Sequence, residues 1–545
     1  GVNGTWINQD NMTLSGSYIY LTNGTWNTNN KTINVGIIIS QPGTKTLTLG
    51  SSDITFGGVI LDNNNINLTV NAGTSIVRSL ANAFTAATCV FNDLFIRCTN
   101  GGISTTFISC NNLTIYNLTN FITGCISIVG NITINKNFNI IGVNNNIYRL
   151  MLNSDKNNGI ITVDPTKVFA SNVDFADIKF ATPIDLSAIP GGAGDCGGNS
   201  NITFSPAIEQ FWVGNAGNWS DQNHWASVSN GIAGSGRMPL PQDFAKVDDA
   251  SFTVPGTITV NVPRLCKKLD MSSSTKDITF FNNISLSEFY GDFILGPKVI
   301  STGTTIAFIG RGTFDMNTFN KTVNVRIKKS ATYNLRSDFT GSLLIEGNFY
   351  TNDYVLNIIT DRLMSYSSSQ LWLGNSIVNL ITQGIGGELL LNAGGQLFSQ
   401  NSIINVLSDF PSDVYLSMDG WSLNKVVIDG TFPGNCKITG SNTFNELIIK
   451  EGKKIAFAAY ATQIFNTIKT LSTHKKKITI GSTIPGTQAM LVKNGLPIVE
   501  IENVIISDIN ASPNEKWYLG DNSKNNGNNS GLIFESSYIP PYSWM

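Results

Sequence analysis

The stretch FWVGNAGNWSDQNHW, residues 211–225, is the densest group of side chains in the 545-residue chain that could recognise or transform a ligand. Exposed indoles at Trp212, Trp219 and Trp225 would stack on the apolar faces of sugar rings, and His224 could shuttle a proton. Catalysis or metal binding by His224 needs a partner at short spacing, and the only other histidine, His474, lies far downstream. A third reading is structural. Bulky aromatics beside Gly217 and Asn218 suit a tight turn folded over the bare end of a strand stack, whose edges would otherwise pair with strangers. The residues rank a structural cap first, glycan stacking second and catalysis last.

Carboxylates are the other source of chemistry, because polysaccharide cleavage needs a clustered acid and base. NVDFADI supplies Asp174 and Asp177, and KVDDASF supplies Asp248 and Asp249. On a strand, residues three apart point to opposite faces. The spacing of Asp174 and Asp177 therefore argues against joint chemistry, and no enzyme is expected. The seven cysteines form no Cys-x-x-Cys pair, so no zinc or other metal site is expected. Cys89, Cys98, Cys110 and Cys125 crowd one region and fit buried thiols, with one or two disulfides as the alternative. No cofactor motif is present.

Composition limits what these residues can serve. Charged residues are 13% of the chain, well below the roughly 25% of ordinary soluble proteins, and the net charge is −2. No basic stripe could neutralise phosphates, which argues against nucleic acid as a partner. The longest basic run, Lys475–Lys477, reads as a solvated turn. No apolar run reaches about 18 residues, so no membrane insertion is expected. About a dozen Asn-x-Ser/Thr sequons, Asn23, Asn67, Asn131 and Asn218 among them, are compatible with surface glycosylation.

The elements that must position these residues are short alternating runs: KTINVGIII, KTLTLG, DITFGGVIL, INLTVNAG, NLTIYN. Period-two apolarity with β-branched residues, punctuated by Gly, Asn, Ser and Asp, predicts half-buried strands and almost no helix. The fold class is all-β. A parallel β-solenoid is favoured over tandem β-sandwich modules because strand spacing varies and Asn and Thr could form ladders between coils. Coils of roughly 22 residues rising about 4.8 Å each would give a rod on the order of 100 Å long.

A long internal repeat orders the chain. NGTWNTNNKTINV at 23–35 aligns with EGNFYTNDYVLNI at 346–358, an offset of 323; LTLGSSDITF matches LWLGNSIVNL at 324. VNAG at 70–73 meets LNAG at 391–394, an offset of 321, and NVDFADI at 172–178 meets NVIISDI at 503–509, an offset of 331. Residues 1–208 then form one β-rich module, 209–535 a second of the same type, and 536–545 a tail rich in Pro and aromatics. Gly1 corresponds to about residue 324–329 of the second module, so the first is expected to lack its N-terminal third, supplied by preceding sequence or by a neighbour.

The phrases FWVGNAGNWSDQNHWA, LTNGTWNTNNKTINV, LTLGSSDITF and VNAGTSIV resemble those of a family of large repetitive β-rich proteins of tailed phages, the virion or tail-fibre-like proteins. They are also similar to secreted surface proteins of Bacteroidetes-type bacteria. The resemblance implies an elongated structural role on a virion or outside a cell and no defined activity. The expected function is a structural subunit of a virion fibre or extracellular appendage, a spacer and adhesion surface directed at a host receptor or surface glycan. A secreted bacterial adhesin or filament subunit is the alternative, and a carbohydrate-active β-helix enzyme the second. A homo-oligomer or filament is expected, with the Gly1 end and the 536–545 tail in inter-chain contacts.

Overall fold

A computed structural model describes the protein except residues 1–3, 62–65, 81–82, 87, 99–100, 118–123, 144–145, 155–158, 318–321, 366–367, 382–387, 391–394, 496–497, 515 and 536–545. The C-terminal tail and the LNAG phrase thus lie outside the described residues. The chain is 57% strand and has no α-helix among the described residues; its parallel stacked sheets form a β-solenoid of about 22 turns. Strands pair with strands one coil away, and these ladders are parallel, which sets aside the antiparallel sandwich alternative. The described residues contain no helix long and apolar enough to cross a membrane.

The chain divides into two compact units, Gly1–Lys246 with Thr259–Lys267, and Val247–Ile258 with Lys268–Met545. The sequence boundary at 208/209 follows the repeat, whereas this division follows packing and keeps 209–246 with the first unit.

In the first unit, Thr5–Ile7, Gly24–Asn27, Gly43–Thr48 and Ile66–Asn71 stack in that order as one parallel sheet. A second sheet of fifteen strands runs from Met12–Leu21 at one edge to Ala193–Asp195. Register converts sequence alternation into columns. Ile33, Ile54, Val77, Leu94, Leu113 and Phe138 lie directly above one another, all buried. Each strand points every second side chain inward, so burying one column costs no polar group, and the backbone bonds run between coils.

The second unit is built alike. Leu356, Val378, Ile404, Val426, Leu447 and Ile468 form a buried column. One residue along, the outward face carries the ladder Asn357–Asn379–Asn405, whose amides donate coil to coil at 2.8 Å. Lys425, Glu446 and Lys469 form a charged ladder at 2.9 and 2.6 Å. Inside, Phe293 packs at 4.9 Å from Phe289 and 5.6 Å from Phe308, and Tyr333 lies 4.9 Å from Phe308 with its hydroxyl placed to bond Gly291 O and Ile309 O.

The repeat is visible atom by atom. Thr28 Oγ1 bonds Leu49 O at 3.0 Å and Ser52 Oγ at 2.7 Å; Thr351 Oγ1 bonds Leu373 O at 2.9 Å and Ser376 Oγ at 2.7 Å. Asn30 Oδ1 accepts from Ser51 N as Asp353 Oδ1 accepts from Asn375 N. Gly50 and Gly374, beside them, have φ of 56° and 57°, the left-handed region a side chain resists. Gly24 and Gly347 differ in φ, but at each a Cβ would lie within 2.4 Å of the carbonyl one coil earlier, Gly4 O or Ala331 O. At the far end Asn199 and Asn529 donate to Phe175 O and Ile506 O, both at 2.9 Å.

Candidate functional site

The tryptophan stretch is held by short strands and a single-turn helix. Glu209–Trp212 pairs in parallel with Phe244–Lys246 and antiparallel with Trp225–Ala226, placing Trp212 opposite Trp225. This antiparallel return folds the chain back on itself beside the parallel coils. Asp221 caps the turn Gln222–His224 by accepting from Asn223 N at 2.9 Å. Trp219 N donates to Thr259 O at 2.8 Å, fixing the far side of the loop.

All three indoles are fully buried, at 0% exposure. Trp225 packs edge-on against Trp212 at 5.2 Å and against Trp219 at 4.8 Å, and its Nε1 donates to Trp219 O. His224 stacks on Trp212 at 4.7 Å, with Nδ1 at 2.8 Å from Val213 O. Gly217 is required because a Cβ there would lie 1.9 Å from His224 Nε2. No indole face is open for a sugar ring, and His224 is occupied as a packing element.

What this segment covers is the last coils of the first copy. Gln242 Nε2 donates to Ala193 O at 3.0 Å, and its Oε1 accepts from Asp195 N. Asn146 Nδ2 donates to Ser220 O at 3.0 Å. Asp243, fully buried, accepts from Leu240 N and Ile208 N and pairs with Arg237 at 2.8 Å.

Beneath lies a buried ionic cluster. Asp174 is completely enclosed, with Arg149 bonded to Oδ1 at 2.6 and 2.8 Å and Arg264 to Oδ2 at 2.6 Å. Arg149 also donates to Asn172 Oδ1 and to the carbonyls of Val173, Gly191 and Gly192; Arg264 donates to Arg149 O. Burial alone would raise the Asp174 pKa, but the two guanidiniums outweigh it and hold the carboxyl below the usual carboxylate range. The sequence singles out Asp174 by residue type and argues against an acid role by its spacing, but it does not show its arginines, 25 and 90 residues away.

The remaining carboxylates support backbone. Asp177 and Asp508 occupy equivalent left-handed turns, φ 56° and 58°. Asp248 accepts from Ala250 N, and Asp249 from Thr275 N and Oγ1, bonds that hold the Asp249 carboxyl below its ordinary range. Asp174 and Asp177 do not converge. Cys89, Cys98, Cys110, Cys196, Cys266 and Cys436 are buried, and burial pushes the thiols of Cys110 and Cys436 up to about 12, Asp93 adding to the first. Among the described residues no cluster of three His, Cys, Asp or Glu could hold a metal. The run Lys475–Lys477 sits in a turn closed by Thr473 and Lys476, with Lys476 paired to Glu451 at 3.0 Å. A comparison with protein-family models, curated proteins and solved structures finds no match.

Proposed function

We propose that the chain is a non-enzymatic structural subunit of a virion fibre or extracellular appendage, a stacked spacer whose outer faces meet a host or cell surface. What carries this reading is what the two copies keep in common. Thr28 and Thr351, Gly50 and Gly374, and Asn199 and Asn529 retain the same bonds and turns across more than 300 residues. Each of these residues holds one coil to the next. Asp174, in contrast, has Ile505 as its counterpart, and Arg149 has Lys477. The carboxylate the copies do share, Asp177 and Asp508, sits in equivalent left-handed turns, so what is kept is scaffold.

Assembly is supported by an exposed aromatic pair on the outward face of the first unit. On Met12–Leu21, Tyr18 and Tyr20 flank the buried Ile19, point outward, stack on each other at 6.1 Å and are each more than half exposed. Such a pair presents apolar ring surface to another chain. The phrase-order resemblance to phage and secreted surface proteins agrees with an extracellular setting.

Electron microscopy of the purified chain, with chromatography of extracellular polysaccharides incubated with it, tests the proposal. Filaments or multi-chain particles with unshortened polysaccharide are expected. Depolymerisation that disappears on substituting a carboxylate would replace the scaffold with a carbohydrate-active enzyme.

A further inference from the structure

The two copies differ most usefully at one corner. Registers equate Ser127 with Ala456 and Ile132 with Gln463; the residues between number four in the first copy (128–131) and six in the second (457–462). One coil on, Asn153 corresponds to Gly481 and Ile160 to Met490, with six residues between them (154–159) against eight (482–489). Two neighbouring corners of the second copy have thus each gained two residues. They are tied together, Tyr460 N donating to Gln488 O at 3.2 Å and Met490 N to Ala461 O at 3.0 Å.

Between the lengthened corners lies a cleft of about 510 Å³. Tyr460 stands at its edge, 86% exposed, with φ +63°. A left-handed backbone is costly for a bulky residue, and an exposed ring recovers little by packing; such strain points to use. The walls are hydroxyls and carboxamides from Thr462, Thr487, Gln488, Asn510 and Asn528. Gln488 Nε2 donates to Asn528 O at 3.0 Å, which fixes the carboxamide and leaves its Oε1 as an acceptor group. Asn528 Nδ2 and Gly486 N both bond Asp508 Oδ1, at 2.7 and 3.1 Å, so the floor is fixed before any ligand arrives. None of the lining side chains is charged.

We propose that this cleft binds a neutral saccharide, with one face of a sugar ring stacked on Tyr460 and its hydroxyls bonded to the surrounding amides and hydroxyls. An aromatic platform supplies apolar contact to the ring's C–H face, and side chains that both donate and accept match vicinal hydroxyls. The absence of charge among the lining residues disfavours uronic and sialic acids. This inference rests on the adhesive part of the proposed function and gives it a location in the second unit.

The test is an array of neutral oligosaccharides with glucose, galactose, mannose or N-acetylglucosamine ends, probed with the full chain, Tyr460→Gly and Gln488→Ala. Glycine accepts the left-handed backbone, so Tyr460→Gly should melt no lower than the parent while losing about tenfold or more in affinity for the bound sugar, a stacking contribution of about 1.4 kcal/mol. Gln488→Ala should weaken the same sugar without changing the preference for neutral ends. Retained binding in Tyr460→Gly would overturn the site, as would a parent that binds acidic sugars or peptides there in place of neutral ones. A parent that binds no glycan yet assembles would overturn the site and leave the scaffold standing; a parent that binds through Tyr460 yet never assembles would do the reverse.

Discussion

Neutralising Asp174 would leave Arg149 and Arg264 enclosed together without their shared counter-charge. Breaking a buried pair in this way costs about 3–5 kcal/mol, so Asp174→Asn should lower stability by that much in urea unfolding. The same carboxyl sets an acid limit. Its folded pKa is depressed, so its contribution is complete above the ordinary carboxylate pKa and is lost as pH falls through the lower folded value. A pH series of unfolding should show stability declining below about pH 4 in the parent and a shallower decline in Asp174→Asn. Trp219, fully buried against Trp225, should behave as a core residue, with Trp219→Ala costing about 3–5 kcal/mol. At this scale the sequence was half legible. The tryptophans and Asp174 stand out by type, but the contacts that decide their roles come from coils with no local trace of one another.

The repeated Thr–Ser bond makes a prediction about elements. Thr28→Val and Thr351→Val keep shape but remove a hydroxyl that serves a buried carbonyl and a buried serine, so each should cost about 1–3 kcal/mol. The two sites share no partner, so the costs should be similar and should add in the double variant. Strand positions were readable because one face of each strand is buried, which writes burial into every second residue along much of Thr32–Ser40 or Ser422–Ile428. Coil-to-coil register was not. It follows from which column each strand joins, and separations differ from pair to pair, 15 residues between Trp517 and Leu532 but 30 between Phe138 and Val168. The repeat offset varies between 321 and 331 along the sequence, but it names neither the lengthened corners nor Tyr460.

For the molecule as a whole, duplication of the inter-coil bonds and an exposed, outward-facing tyrosine pair argue for a scaffold that joins with others. Association driven by apolar contact, in a chain with so few charges, should depend only weakly on salt. Placing lysine at this pair, as Tyr18→Lys with Tyr20→Lys, should block assembly while leaving the circular-dichroism spectrum of the strands unchanged. The most direct check is the light-scattering mass of the purified chain across a concentration series. The account predicts masses above that of a single 58.9 kDa chain that rise with concentration, and collapse to it in the double-lysine variant. A parent that remains at 58.9 kDa at every concentration would contradict it.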